Sequence, residues 1–201
     1  MEGKKEIYAF DFDGTLTRRD SFIAFLCHAR QTRRVVAWLA LHAPLLAAAK
    51  LGLYPAGKAK ERVFAHFFAG TAERDYEECG MAFAARNRAL LRPAGIRAVG
   101  KAVEDGATVL IVSASQRQWV APFFAEYGSA VTVVATEPEI RNGRLTGRFA
   151  TPNCKGAEKV RRILGLFPDR ESYRLTAFGD SRGDREMLAM ADEAHYKPFR
   201  K

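Results

Sequence analysis

Cysteine and histidine are scarce in this sequence, and no long apolar run is uninterrupted. The three cysteines, Cys27, Cys79 and Cys154, are odd in number and form no CxxC pair or Cys/His ligand spacing. That excludes a disulfide framework and a structural zinc site, and it fits free thiols in a reducing compartment. His28, His42, His66 and His195 are scattered in the same way. The most apolar window, Val35 to Tyr54, is broken by His42, Pro44, Lys50 and Gly52. It therefore falls short of the roughly 20 clean apolar residues that a membrane span requires. Residues 1–6 are charged and run straight into an apolar stretch, so no secretory leader is expected and the protein is expected in the cytoplasm. Repeats and low-complexity tracts are absent. Acids are outnumbered, 23 against 32 Lys and Arg, for a net charge of +9. Such a balance favours anionic partners, whether phosphates, nucleic acid or an acidic membrane surface, and by itself does not choose among them. The basic residues form no reading helix and no nucleic-acid motif, so nucleic acid is not an expected partner.

What is present concentrates in one stretch, Ile7 to Thr17, IYAFDFDGTLT. Ile7-Tyr8-Ala9-Phe10 is a short all-apolar run of the kind buried on both faces of a parallel sheet. Asp11 and Asp13 follow at the carboxyl end of that strand, where open α/β sheets bind ligands. Alternation puts both acids on one side and turns Phe12 back into the core. Two carboxylates so close repel unless a cation lies beside them, and a divalent metal answers this. Gly14 permits a sharp turn, and Thr15 offers a hydroxyl and an N–H to an anion. Standing alone, the stretch reads equally well as a strand followed by an Asp-Gly turn.

From Asp20 to Leu91 the pattern is helical. Ser21 or Asp20 caps a helix carrying Phe22, Ile23, Phe25 and Leu26, and further helices are expected over 56–69 and 72–91, the latter capped by Thr71. Arg30, Arg33 and Arg34 precede the apolar window, and Lys50, Lys58, Lys60 and Arg62 follow it. A packed cap helix is the preferred reading of the window; the flanks resemble those of an interfacial helix on anionic lipid, which is the alternative. Arg92-Pro93-Ala94-Gly95 marks a return to the main domain. After it come a helix over 96–104, a strand from Thr108 to Val112 ending in Ser113-Ala114-Ser115, and a helix over 116–127. A strand from Val131 to Ala135, a hairpin turned by Asn142-Gly143 and a helix from about Lys155 are next. The last strand, Leu175 to Phe178, runs into Gly179-Asp180 and a helix carrying Met187 and Leu188. This alternation predicts a doubly wound, mostly parallel α/β sheet of Rossmann-like type, built from 1–19 and 92–201, with a helical cap over 20–91.

In a parallel sheet the strand ends carrying Asp11 and Asp13, Ser113, and Asp180 with Asp184 share one edge. The Ser113 hydroxyl and the N–H groups that follow it, from Ala114 on, make a phosphate cradle. Asp180 completes a Mg²⁺ site with Asp11, the backbone of Asp13 and waters. Lys155 and Lys159, expected one helical turn apart on one face, both qualify as the cation that balances the nucleophile, and spacing does not separate them. Each residue alone has an ordinary reading as a turn, a cap, a dipole-stabilised acid or a solvated lysine. Taken together in this order they point to phosphoryl chemistry, with one Asp attacking and the other handling the proton.

FDFDGTLT, VSAS, NCKGAEKV and GDSRGD, in this order, resemble the four motifs of haloacid dehalogenase-like phosphatases, and the helical insertion after the first is similar to the phosphoserine phosphatase-like subfamily. The apolar window, DGTLTRRDSF, GRLTG and the ending HYKPFR resemble the phosphatidylglycerophosphatase C-type branch. The resemblance implies a Mg²⁺-dependent phosphomonoesterase with Asp11 as nucleophile and Asp13 as proton donor and then base. It implies phosphate binding by Ser113, metal binding by Asp11, Asp13 and Asp180, and support from Asp184. The Lys-Gly pattern of phosphoserine phosphatases matches Lys155, whereas the GxEK pattern of the lipid-phosphatase branch matches Lys159, which is preferred. Asp20 stands where phosphoserine phosphatases carry a longer Glu that reads the substrate amino group, and Gly183 stands where Asn is common. Both departures count against phosphoserine. The implied substrate is a phosphorylated lipid head group such as phosphatidylglycerophosphate, met at the inner face of the membrane. A small soluble phosphate ester and a non-catalytic phosphate-binding protein are the alternatives.

Overall fold

The structure, a computed structural model, describes residues 4–200; residues 1–3 and 201, at the ends of the expected core, lie outside the described residues. Its strands are β1 (Lys5–Phe10), β2 (Thr108–Gln116), β3 (Val131–Thr136), β4 (Pro138–Arg141), β5 (Arg144–Phe149), β6 (Tyr173–Gly179) and β7 (Glu193–Tyr196). Five of them form a parallel sheet of order β3-β2-β1-β6-β7, and β4 pairs with β5 as a separate antiparallel hairpin. The doubly wound parallel sheet expected from the sequence is present. β1 takes the centre because it is apolar on both sides. Ile7 and Ala9 enter one core with Leu110, Val112, Leu175 and Ala177, and Phe10 enters the other with Val109, Ile111 and Phe178. Phe10 stands level with Ile111 and Phe178, so β1, β2 and β6 deliver their next residues to one edge.

The helices are α1 (Ser21–Ala29), α2 (Thr32–Leu41), α3 (Ala43–Lys50), α4 (Ala56–Phe68), α5 (Glu73–Arg86), α6 (Pro93–Glu104), α7 (Arg117–Val120), α8 (Ala157–Leu166) and α9 (Arg185–Met190). α8 and α9 cover the Ile7 face through Ile163 and Met187, and α6 covers the other through Val99 and Ala102. α1 to α5 intervene between β1 and α6. The chain leaves and returns along an antiparallel bridge of Thr17 with Leu91, flanked by Arg18 N–H to the Leu90 carbonyl at 2.8 Å and Arg92 N–H to the Leu16 carbonyl at 2.7 Å. The inserted helices share the sheet's core: Phe25 stacks on Trp119 with centroids 4.5 Å apart, and Trp119 Nε1 donates to Ser21 Oγ at 3.1 Å.

Several expected elements differ in detail. The strand expected to end at Val112 continues to Gln116, and α7 lasts only four residues before a 3-10 stretch containing Pro122 and Gly128, which sits at φ 53°. No α-helix therefore fills 116–127. The helix expected over 72–91 stops at Arg86, and Ala72 rather than Thr71 occupies its cap position. The apolar window divides into α2 and α3 at His42, because Pro44 cannot continue a preceding helix but is accommodated in the first turn of a new one. β7 escapes a hydrophobic-pattern search because it is a short, largely exposed edge strand containing Glu193 and His195. The hairpin turns at Asn142 and Gly143, both at positive φ, as that dipeptide predicts. It packs against the inserted helices: Gly70 N–H donates to the Leu145 carbonyl at 2.8 Å, and Phe149 N–H to Glu61 Oε1 at 2.7 Å. No helix among the described residues is long and apolar enough to cross a membrane.

Candidate active site

Immediately after β1 the chain makes one wide turn, Phe12–Leu16, with Gly14 at φ 86°. A Cβ at Gly14 would stand 2.5 Å from Asp180 Oδ2, so glycine is what lets β6 bring Asp180 close to the β1 end. Asp11 is buried there. Lys159, in the first turn of α8, places Nζ 2.6 Å from Asp11 Oδ1, 2.7 Å from Asp184 Oδ1 and 2.7 Å from the Val112 carbonyl. All three of its protons are thereby used. Asp184 Oδ2 accepts from Asp180 N–H at 3.2 Å, Ser181 N–H at 3.0 Å and Ser181 Oγ at 2.9 Å. Asp180 pairs through Oδ2 with Arg200, while its Oδ1 is buried without a hydrogen-bond partner. Carboxylate oxygens of Asp11, Asp180 and Asp184 lie within 4.8 Å of one another.

Asp13 sits apart from this triad, its Oδ1 accepting from Ser21 N–H at 2.7 Å and its Oδ2 from Ser115 Oγ at 2.5 Å. The Thr15 hydroxyl donates to Asp11 Oδ2 at 2.9 Å, so it braces a carboxylate. Ser113 is fully buried and its Oγ accepts from Ser115 N–H at 3.0 Å. Asp20 caps α1, accepting from Phe22 N–H at 2.8 Å. A cavity of about 330 Å³ is lined by Asp11, Asp13, Asp20, Ala114, Lys155, Lys159, Asp180 and Asp184, with Phe22, Ala56 and Lys60 from the inserted helices. Thr15 and Ser113 lie beneath it rather than on its wall. Lys155 and Lys159 do not share a helical face as expected. Gly156 at φ 63° precedes α8, leaving Lys155 exposed outside the helix while Lys159 is buried within it.

Burial dominates the electrostatics. It pushes the Asp11 carboxyl up to about 7, with Lys159 opposing and Asp184 adding to the rise. Asp13 is also raised, by burial first and then by the Asp20 charge, against Lys60, Ser115 and Ser21. Burial alone would depress the Lys159 ammonium, but Asp11 and Asp184 hold it above the usual lysine range. Burial works against Asp184 too, yet Lys159 and Ser181 keep it below the ordinary carboxylate value. Asp180 is raised by burial, with Arg200 offsetting part of the shift.

Four groups at the site escaped sequence reasoning. Ser115 was signalled only as the second serine of VSAS. Lys60 donates to the Ala114 carbonyl at 2.9 Å and lies over the Phe22 ring at 5.0 Å, yet AGKAKERV reads as an ordinary surface helix. Arg200 reaches Asp180 from beyond β7, and Asn153 lines the cavity from a loop; both lie in motifs that carry the resemblance, HYKPFR and NCKGAEKV, but neither motif assigns them a role at the site.

A doubly wound parallel sheet whose strand ends gather four aspartates and a buried lysine defines the class of α/β proteins that bind at a topological switch point. The family is more specific. The profile of haloacid dehalogenase-like hydrolases matches residues 8–189, and the chain belongs to that family. It is 38% identical over 197 residues to protein CicA of Caulobacter vibrioides, covering 96% of this chain and 86% of that protein. Its fold is similar to a crystal structure of a protein of unknown function from Bordetella pertussis Tohama I, with TM-score 0.75 and 22% identity over 93% of this chain and 87% of the other. It is also similar to a phospho-aspartyl intermediate analogue of phosphoserine phosphatase, with TM-score 0.61 and 18% identity over 94% of this chain and 84% of the other.

Proposed function

We propose that the protein is a Mg²⁺-dependent phosphomonoesterase that carries the phosphoryl group on Asp11. The observation behind this reading is the Lys159 ammonium clamped between Asp11 and Asp184, beside an Asp180 oxygen with no partner. A buried carboxylate oxygen left without a donor costs on the order of 1–3 kcal/mol. Together with the all-oxygen surroundings, that suits a hard divalent cation. Asp11, Asp180 and the Asp13 carbonyl would hold Mg²⁺, with Asp184 behind them. When bound, the ion would neutralise charge on the phosphoryl oxygens.

Asp11 attacks phosphorus in line as the bond from phosphorus to the alcohol oxygen breaks. Asp13, whose burial favours the protonated form, gives its proton to the departing oxygen. Lys159 fixes the orientation of Asp11 and stays charged throughout. Asp13 then takes a proton from the water that attacks the aspartyl-phosphate, releasing inorganic phosphate and restoring Asp11. The N–H groups of Ala114 and Thr15 would meet phosphoryl oxygens, while Ser113 and the Thr15 hydroxyl brace the groups around them. Residues 20–91 act as a cap over a core of 1–19 and 92–201, and Asp20, Phe22, Ala56 and Lys60 form the roof that excludes bulk water.

The cavity of about 330 Å³ has room for a phosphate and a small polar alcohol but not for acyl chains. A phosphorylated lipid head group, such as that of phosphatidylglycerophosphate, is the reading favoured by the exposed apolar residues of α2 and of the stretch between α3 and α4. Three free thiols support a cytoplasmic location, at the inner face of the membrane. Phosphate release from a panel of lipid and soluble phosphomonoesters, with Mg²⁺ and with a chelator, tests this. Release that needs Mg²⁺ is expected, fastest on a lipid ester; no release from any ester removes the catalytic reading.

A further inference from the structure

We propose that the α2–α3 hairpin is a docking surface for an anionic lipid bilayer. α3 consists of Ala43, Pro44, Leu45, Leu46, Ala47, Ala48, Ala49 and Lys50, and not one of the eight is buried. α2 buries only Val35 and Trp38; Arg33, Val36, Ala37, Ala40 and Leu41 form its exposed face at helical spacing. Val36 is 57% exposed, Leu41 77%, and Leu51 and Leu53, just beyond α3, 75% and 80%. Single exposed leucines are ordinary, but four large apolar side chains exposed between Val36 and Leu53 are not. Helices of this length draw their stability from burying an apolar face, and α3 buries its own only in part: Leu46 packs against the core while no residue of the helix is fully covered.

Charge identifies what covers it. From Ser21 through Lys60 the chain contains no Asp or Glu, and it carries Arg30, Arg33, Arg34, Lys50, Lys58 and Lys60. Arg30 and Lys60 turn inward, to the carbonyls of Phe67 and Ala114. Arg33, Arg34, Lys50 and Lys58 remain exposed around the apolar arm. A second copy docked symmetrically on this arm would set one basic rim against the same basic rim, with no acid in the stretch to answer it. An anionic bilayer satisfies both features, since leucines enter the acyl boundary while the rim meets head-group phosphates. The position suits the chemistry as well. Leu53 is three residues before Ala56, which lines the cavity, so the two are at most about 11 Å apart along the chain. Only this orientation of the cavity toward a head group rests on the phosphatase reading; the docking itself does not.

Flotation of the whole protein with vesicles tests the surface, using phosphatidylcholine alone and phosphatidylcholine mixed with phosphatidylglycerol, at low and raised salt. Binding to the anionic vesicles is expected, and it weakens with salt. Leu51→Glu combined with Leu53→Glu should weaken it about tenfold or more. Arg33→Gln and Arg34→Gln should each weaken it about fivefold. Because Leu51 and Leu53 touch solvent, that double variant should melt like the parent and hydrolyse a soluble phosphate ester at the parent rate. No binding, equal binding to neutral vesicles, or binding that ignores the leucine changes overturns the proposal. A lipid-free dimer that Leu53→Glu dissociates overturns it in favour of a second copy. Vesicle binding without phosphatase activity upholds the docking and removes the catalytic reading, and the converse result does the reverse.

Discussion

On the floor of the cavity, at the ends of β1, β2 and β6, Lys159 gives its three protons to Asp11, Asp184 and the Val112 carbonyl. On the roof, at the start of α1 and along α4, Lys60 gives one proton to the Ala114 carbonyl and Asp20 is satisfied by the N–H groups of its own helix. The floor is locked by its own charges before any ligand arrives, whereas the roof keeps donors to spare. This difference teaches where to look for each function on the proposed phosphatase reading: pre-organised charge would set the chemistry, and spare hydrogen-bonding capacity would select the alcohol.

The largest break in that division is Asp11→Asn, which should lower turnover by about four orders of magnitude or more, as loss of a covalent nucleophile does. Its effect on the metal-free fold runs the other way. Asp11 holds its proton up to about pH 7, far above the ordinary 3.8. The folded chain therefore binds this proton more tightly than the unfolded chain does. The group's contribution to stability is present below pH about 4 and is lost as pH rises through about 7. Asparagine cannot ionise, so the metal-free variant should lose this part of the decline and melt above the parent at pH 8. Thermal melts in chelator across pH 5–8 check it, and a variant that melts lower throughout would show that the carboxylate stabilises the floor.

Next in size is Lys159→Met. Removing the cation strands Asp11 and Asp184 side by side, a loss of about 3–5 kcal/mol for a broken buried pair. Adding Asp11→Asn should restore part of it, which a double-mutant cycle measures. Lys155→Met, on an exposed side chain, should stay within about 0.5 kcal/mol of the parent. Equal losses from the two lysines would erase the distinction the structure draws between them.

That distinction also marks the limit of what the sequence discloses. Asp11, Asp13, Asp180 and Asp184 are legible because each follows an apolar run that ends in a glycine-bearing turn, and a parallel sheet brings such ends together. Lys155 and Lys159 are not separable by spacing, and only the GxEK resemblance prefers Lys159, because nothing in NCKGAEKV announces that Gly156 adopts a positive φ and starts the helix after Lys155. The site roles of Lys60 and Arg200 are hidden for a different reason: their partners lie 54 and 20 positions away, so a basic flank and the ending HYKPFR show the residues but not what they touch. The hairpin β4–β5 was legible as a hairpin, but its packing against α4 depends on Gly147 passing Ala65, where a Cβ would stand 2.8 Å away.

Lys60→Met sharpens the comparison from the roof. If spare donors there choose the alcohol, KM should rise about tenfold with kcat changed by less than about threefold, as removal of uniform binding does. A fall in kcat with KM unchanged would instead tie Lys60 to Asp13 and move it into the floor.

A smaller effect on the site is expected from Arg200, which belongs to neither wall. The run beyond β7 is held by Phe199 stacked on Phe178, with centroids 5.7 Å apart, and by Arg92 Nη1 donating to the Phe199 carbonyl at 3.3 Å. This sets the guanidinium against Asp180 Oδ2. A divalent ion and Arg200 compete for the same carboxylate, but the arginine side chain is 41% exposed and solvent screens much of its charge. Arg200→Ala should therefore tighten Mg²⁺ binding by only about two- to fivefold, read by calorimetry without substrate. Weaker binding in the variant would mean that Arg200 orients Asp180 for the ion instead of opposing it, and the floor would then extend to the C-terminal run.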